Sequence, residues 1–122
     1  MRYTNVHIEA LGYELPPVVV TSSELEARLE PLYRRYNMPE GQLRNLTGIE
    51  ERRWWEDGYS ISEGAIAAAR NALTHTSVKA ADIGCLIYAG VCRENFEPAT
   101  ACKVAAGLGI SADASLFDLS NA

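Results

Sequence analysis

The side chains with the most chemical capacity gather in one short segment, Arg93-Glu94-Asn95-Phe96-Glu97-Pro98-Ala99-Thr100. It follows an apolar, strand-like stretch and leads into a helical one, where α/β proteins place their working loops. Glu97 has two readings here: a helix N-cap that accepts backbone N–H groups, or a general base. Phe96 and Asn95 beside it are candidates to contact a substrate. A second group is Glu50-Glu51-Arg52-Arg53-Trp54-Trp55. Its guanidinium groups suit a phosphate or an ion pair with the neighbouring carboxylates. Its indoles suit stacking on a base or the packing of a loop. Gly107-Leu108-Gly109 follows a helix, whose C-terminal end repels anions, so it reads as a helix stop and not a phosphate cradle. His7 and His75 have no ligand partner at helical spacing and read as surface or packing residues. The three cysteines, Cys85, Cys92 and Cys102, match no zinc pattern and read as reduced thiols serving as small buried hydrophobes. No metal site is expected.

The chain has 122 residues, with 11 Lys+Arg against 16 Asp+Glu and a net charge of −5. Hydrophobic residues make up 48% and charged residues 22%, which excludes a disordered chain and suits one domain. A net acidic chain without clustered cations is a poor partner for nucleic acid. No apolar run reaches the ~18–20 residues of a membrane span, and no secretory signal is visible. A soluble, cytoplasmic α/β or α+β chain is the expectation.

Elements must place the candidate groups. Residues 3–10 alternate between apolar and polar types, the period of a half-buried strand. Val18-Val19-Val20 extends this region beyond the Pro16-Pro17 turn. Thr21 and Glu24 have capping-box spacing, and Leu25, Leu29 and Leu32 share a helical face, which predicts one helix from about residue 22 despite Pro31. Residues 36–48 read as a loop broken by Asn37, Pro39, Gly41 and Gly48. Ser60 and Glu63 form a second capping box, opening a helix over 61–74 with a stripe of Ile61, Ala65, Ala68, Ala69 and Ala72. Residues 83–89 predict a strand buried on both faces. Pro98 fits the first turn of a helix whose buried stripe is Ala101, Val104, Ala105 and Leu108, ended by Gly107 and Gly109. A last strand covers 116–119. The order is that of a layered α/β fold with a mixed sheet. It stops directly after a strand, as part of something larger would.

Three motifs then carry a resemblance. Thr47-Gly48-Ile49-Glu50-Glu51-Arg52-Arg53 resembles the TGI-x-x-RR segment of thiolase-superfamily condensing enzymes of the ketoacyl-ACP synthase III type. Glu97-Pro98-Ala99-Thr100-Ala101 resembles their P-S/A-T-A helix start. Phe117-Asp118-Leu119-Ser120-Asn121-Ala122 resembles their nucleophile strand, D-x-x-N-A-C. Within the superfamily the Leu25–Pro31–Leu32–Tyr33 helix, the Arg52-Arg53-Trp54-Trp55 run and Arg93–Glu97-Pro98 are most similar to the acyl-CoA condensing enzymes of olefin biosynthesis.

The resemblance implies a five-layered αβαβα thiolase-like fold built from two similar halves. Residues 1–122 would be the first half, and the catalytic cysteine would follow Ala122. It implies an acyltransferase that forms a carbon–carbon bond by non-decarboxylative Claisen condensation of two long-chain acyl-CoA thioesters. The alternatives are a decarboxylating β-ketoacyl-ACP synthase III of fatty-acid or polyketide synthesis and a non-catalytic half-domain interaction subunit. Glu97 matches a glutamate that reaches across a homodimer as base; Arg52 and Trp54 are candidates to hold coenzyme A. The expected partners are acyl-CoA or acyl-ACP, a second copy and the C-terminal half, with no permanently bound cofactor. The places where coenzyme A-binding synthases III carry a Trp before TGI and an Arg next to it hold Gln42 and Leu46 here.

Overall fold

The computed structural model describes residues 3–120 and divides into two compact units, residues 15–58, and residues 3–14 together with 59–120. In chain order the elements are β1 (Val18–Thr21), α1 (Ser22–Arg28), α2 (Glu30–Arg35), α3 (Gln42–Thr47), β2 (Glu51–Trp54), α4 (Ile61–Leu73), a 3-10 turn (Ala80–Asp82), β3 (Cys85–Ala89), α5 (Thr100–Leu108) and β4 (Ser115–Leu119).

In the 15–58 unit β1 pairs antiparallel with β2, in the register Val18–Trp54 to Thr21–Glu51, and Val20 is buried. The partner of β1 is thus β2 and not residues 3–10. The predicted capping box is present: Glu24 N–H donates to Thr21 Oγ1 at 3.1 Å, and Thr21 N–H donates to Glu24 Oε2 at 2.7 Å. The single expected helix is two, broken at Leu29 (φ −96°, ψ 8°). Pro31 has no N–H with which to continue the α1 ladder, so it opens α2 instead. The region read as a loop contains α3, bounded by Gly41 and Gly48, both left-handed at φ 78° and 69°. The α3 cap comes from α1. Glu26 accepts from the Gly41 N–H at 2.7 Å, the Leu43 N–H at 2.6 Å and the Tyr33 hydroxyl at 3.1 Å. Burial pushes the Glu26 carboxyl up, but these three donors outweigh it and hold the group below its ordinary value.

In the other unit the second capping box is also present, with Glu63 N–H donating to Ser60 Oγ at 3.2 Å and Ser60 N–H donating to Glu63 Oε2 at 2.9 Å. β3 and β4 run parallel, Cys85 beside Ser115 through Ala89 beside Leu119, with α5 as the crossover. α5 supplies most of the core: Ala101, Val104 and Ala105 are buried. Gly107 is the last residue but one of this helix. A Cβ there would fall 2.3 Å from Ile66 Cδ1, so α4 and α5 meet closely at that point. Gly109, left-handed at φ 73°, is the C-cap.

Residues 3–10 form no strand, and Tyr3, Val6 and Ile8 are all exposed, whichever phase of the alternation they occupy. A strand needs a partner ladder, and none among the described residues supplies it. The following residues cross α4 instead. A Cβ on Gly12 would fall 2.2 Å from the Ala72 nitrogen and 2.6 Å from the Ala68 carbonyl oxygen. The small-residue face of α4 is therefore used for backbone-on-helix contact. Both obstructing atoms are main chain and cannot rotate away, so Gly12→Ala should cost about 1–3 kcal/mol in denaturant unfolding of the purified protein. A loss below about 0.5 kcal/mol, the range of ordinary surface substitutions, would contradict this packing.

β3 is not buried on both faces. Leu86 and Tyr88 are half-buried, while Cys85, Ile87 and Ala89 on the other face are exposed. Phe117 and Leu119 of β4 are likewise exposed. Cys85 and Cys92 are exposed and Cys102 half-buried, so the expectation of buried thiols does not hold in this chain. Among the described residues no helix is long and apolar enough to cross a membrane.

Candidate active site

The candidate site lies on residues 90–99, which leave the C-terminal end of β3 and enter α5. Gly90 N–H still donates to the Leu119 carbonyl at 3.0 Å, extending the sheet by one bond. A Cβ on Gly90 would fall 2.7 Å from Tyr88 Oη, so glycine makes room for that ring. The Tyr88 hydroxyl donates to the Cys92 carbonyl at 3.2 Å. Arg93 Nε donates to Ser120 Oγ at 3.3 Å, tying the loop to the end of β4.

Glu94 is the most heavily engaged residue of the segment. Its carboxylate accepts from Lys103 Nζ of α5 and from the Ser62 N–H in the first turn of α4, the latter at 3.1 Å. The Lys103 ammonium foremost, and then Ser62, hold its carboxyl down to about 2 against the effect of burial. Asn95, with its amide oxygen turned towards the ammonium, accepts from Lys103 Nζ at 3.0 Å.

Glu97 and Phe96 have the opposite character. Glu97 is exposed, and Phe96 is 95% exposed. The Glu97–Pro98 peptide is cis. α5 begins at Thr100 with Ala99 as its N-cap, so Pro98 stands before the helix and not in its first turn, and Glu97 is not its cap. The cap comes from β4. Asp118 accepts from the Thr100 and Ala101 N–H groups, both at 2.8 Å. Burial pushes the Asp118 carboxyl up, but the Ala101 and Thr100 N–H groups outweigh it and keep it below the usual aspartate value. With its capping role taken by Asp118, Glu97 is an exposed carboxylate next to an exposed aromatic ring, on a loop held at both ends.

Arg52 and Trp54 belong to the 15–58 unit. Arg52 Nη1 donates to the buried Ser22 hydroxyl at 3.0 Å, and Ser22 in turn donates to the Ile49 carbonyl at 2.5 Å. The Trp54 ring carries the Arg28 guanidinium at 5.1 Å from its centroid. His7 meets Glu9 at 2.9 Å on the surface. Among the described residues no group of three or more His, Cys, Asp or Glu could hold a metal. Asn121 and Ala122, the end of the nucleophile-strand motif, lie outside the described residues. Sequence reasoning missed Glu94, Lys103 and the capping role of Asp118. The Asp118 bonds span 18 and 17 residues, and no local spacing announces them.

No protein-family profile matches the chain. Over all 122 residues it is 55% identical to the acyl-CoA:acyl-CoA alkyltransferase of Shewanella oneidensis, of which it covers 35%. The crystal structure of 3-oxoacyl-(acyl carrier protein) synthase III, FabH, from Xanthomonas oryzae superposes with a TM-score of 0.92 at 35% identity, over 99% of this chain and 36% of that one. An OleA variant from Xanthomonas campestris, crystallised with lauric acid and lauroyl-CoA, superposes with a TM-score of 0.83 at 36% identity, over 92% of this chain and 33% of that one. The chain spans about a third of the length of these relatives. Over its whole length it is similar to the OleA-type alkyltransferases and to the ketoacyl-ACP synthases III, and it shares the fold of the corresponding part of these thiolase-fold enzymes.

Proposed function

We propose that this chain is the N-terminal part of a homodimeric acyltransferase that joins two long-chain acyl-CoA thioesters by non-decarboxylative Claisen condensation. The observation that carries the reading is Glu97, a carboxylate released from helix capping and exposed on the loop after β3. The whole-chain identity to a protein named acyl-CoA:acyl-CoA alkyltransferase supports it.

In this reading a cysteine following Ala122 takes the first acyl group as a thioester, releasing coenzyme A. Glu97 of one protomer takes the α-proton of the second acyl thioester in its partner's site. The resulting enolate carbon attacks the cysteine-bound carbonyl. A carbon–carbon bond forms, the carbon–sulfur bond to the cysteine breaks, and the thiolate leaves. The product is a β-keto thioester, which hydrolysis converts to the β-keto acid. Phe96 and Asn95 would border the acyl chain, and Arg52 and Trp54 would help to hold coenzyme A. The exposed apolar residues Ile87, Phe117 and Leu119 suit a sheet face covered by the remainder of the protein.

The second reading, a decarboxylating synthase III, is favoured by the superposition on FabH. Such an enzyme makes its carbanion by losing carbon dioxide and needs no base at Glu97. Incubating the full-length protein with lauroyl-CoA alone, or with malonyl-ACP, separates the two. A β-keto product from lauroyl-CoA alone supports the proposal. Product only when malonyl-ACP is present, with carbon dioxide released, supports the synthase reading instead.

A further inference from the structure

Among the described residues, no backbone–backbone hydrogen bond forms within residues 91–98, so side chains must hold this segment. Two anchors stand at equal distance from Glu97. Three residues before it, Glu94 bridges the first turn of α4, through the Ser62 N–H, and the Lys103 ammonium of α5. Three residues after it, the Thr100 N–H is held by Asp118 of β4. Three residues span at most about 10 Å of chain, so each anchor limits how far the Glu97 carboxylate can wander. The upstream anchor is well shielded: the Glu94 side chain is only 19% exposed. With its amide turned so that the oxygen and not the NH₂ faces the ammonium, Asn95 lies 3.0 Å from the same Lys103 Nζ.

We propose that Glu94 and Lys103 are a positioning pair that fixes the approach of Glu97 to the α-carbon of the second acyl thioester. Neither touches the reacting atoms. Their effect is to remove conformations of the loop in which the base points away. The inference rests on the reading of Glu97 as the condensation base. It predicts a division between the two half-reactions, because loading of the first acyl chain does not use that base.

The test uses the full-length protein with lauroyl-CoA and follows thiol release on loading separately from β-keto product. Glu94→Ala should lower the kcat of condensation about 10- to 100-fold, the scale of a misplaced catalytic group, while loading stays within about twofold of the parent. Lys103→Met, at a more exposed position, should lower condensation in the same direction, and Lys103→Arg should restore it. A parallel fall in loading and condensation, or a fall in condensation not rescued by arginine, means a general structural role and overturns the proposal. Parent-level condensation in Glu94→Ala, with Glu97→Gln inactive, overturns the positioning role and leaves the base intact. Full condensation by Glu97→Gln overturns the base, and the positioning pair with it.

Discussion

Replacing Glu97 with glutamine should lower condensation about 10²- to 10⁴-fold, the contribution of a positioned general base, with loading of the first acyl chain unchanged. Glutamine keeps the size and exposure of the side chain, so the loop and its anchors at Glu94 and Asp118 should persist. What is lost is the negative charge and, with it, the capacity to take a proton. Thiol release from a stoichiometric amount of lauroyl-CoA should therefore match the parent, while β-keto product disappears. A second measurement asks whether the base serves its own protomer's site or the partner's. Mixed dimers of Glu97→Gln with a protomer lacking the cysteine proposed to follow Ala122 should regain activity, because one of the two sites then holds both an intact cysteine and the partner's Glu97. Mixed dimers as inactive as either parent would place the base and the nucleophile in the same protomer's site. An active Glu97→Gln enzyme would instead move the chemistry towards decarboxylation.

The local signals of this fold were legible because their physics is local. Thr21 with Glu24 and Ser60 with Glu63 each satisfy N–H groups within one helical turn, so three-residue spacing suffices to find them. The apolar runs of β3 and β4 were also plain. Features that depend on remote partners were not. Residues 42–47 offer only Leu43 and Leu46 at helical spacing, too short a pattern between two glycines to announce a helix, and that helix is opened by Glu26, whose carboxylate reaches Gly41 and Leu43 across 15 and 17 residues. Residues 3–10 alternate like a strand, but alternation describes only the side chains and supplies no neighbouring ladder. Pro31, two residues beyond Leu29, has no N–H to continue the α1 ladder and so separates two helices where the leucine spacing alone predicts one.

The site divides in the same way. Glu97 stood out because it precedes a proline at a strand-to-helix loop, and the structure leaves it exposed beside Phe96. The reading of Glu97 as a helix cap fails because the first turn of α5 is already satisfied by Asp118. That single fact changes what Glu97 is available to do, and it comes from a residue 21 positions further along the chain. Glu94 carries no sequence signal, since its partners Ser62 and Lys103 meet only when α4 and α5 pack together.

Asp118 therefore predicts the second large effect. Removing its carboxylate in Asp118→Ala should destabilise the protein by about 1–3 kcal/mol, the cost of leaving two helix N–H groups without an acceptor. Ala99 at the cap position has no side chain to take over. Asn at 118 should recover little, because its amide can offer one oxygen to one N–H while its NH₂ faces the other. The effect depends on pH in a definite direction. The folded-state carboxyl is held below its ordinary value of 3.8, so its stabilising contribution is complete above that value and disappears as pH falls through the lower folded one. The difference in denaturant midpoint between parent and Asp118→Asn should thus be full at pH 7 and shrink below about pH 4. An asparagine variant as stable as the parent at pH 7 would remove Asp118 from this role. A difference that persists undiminished through acid would show that the loss lies in packing and not in the charge. The same bond joins β4, the strand proposed to lead to the nucleophile, to the helix that Glu97 precedes. Loosening it should therefore disturb both proposed catalytic groups at once, lowering loading as well as condensation, whereas loss of Glu94 should spare loading.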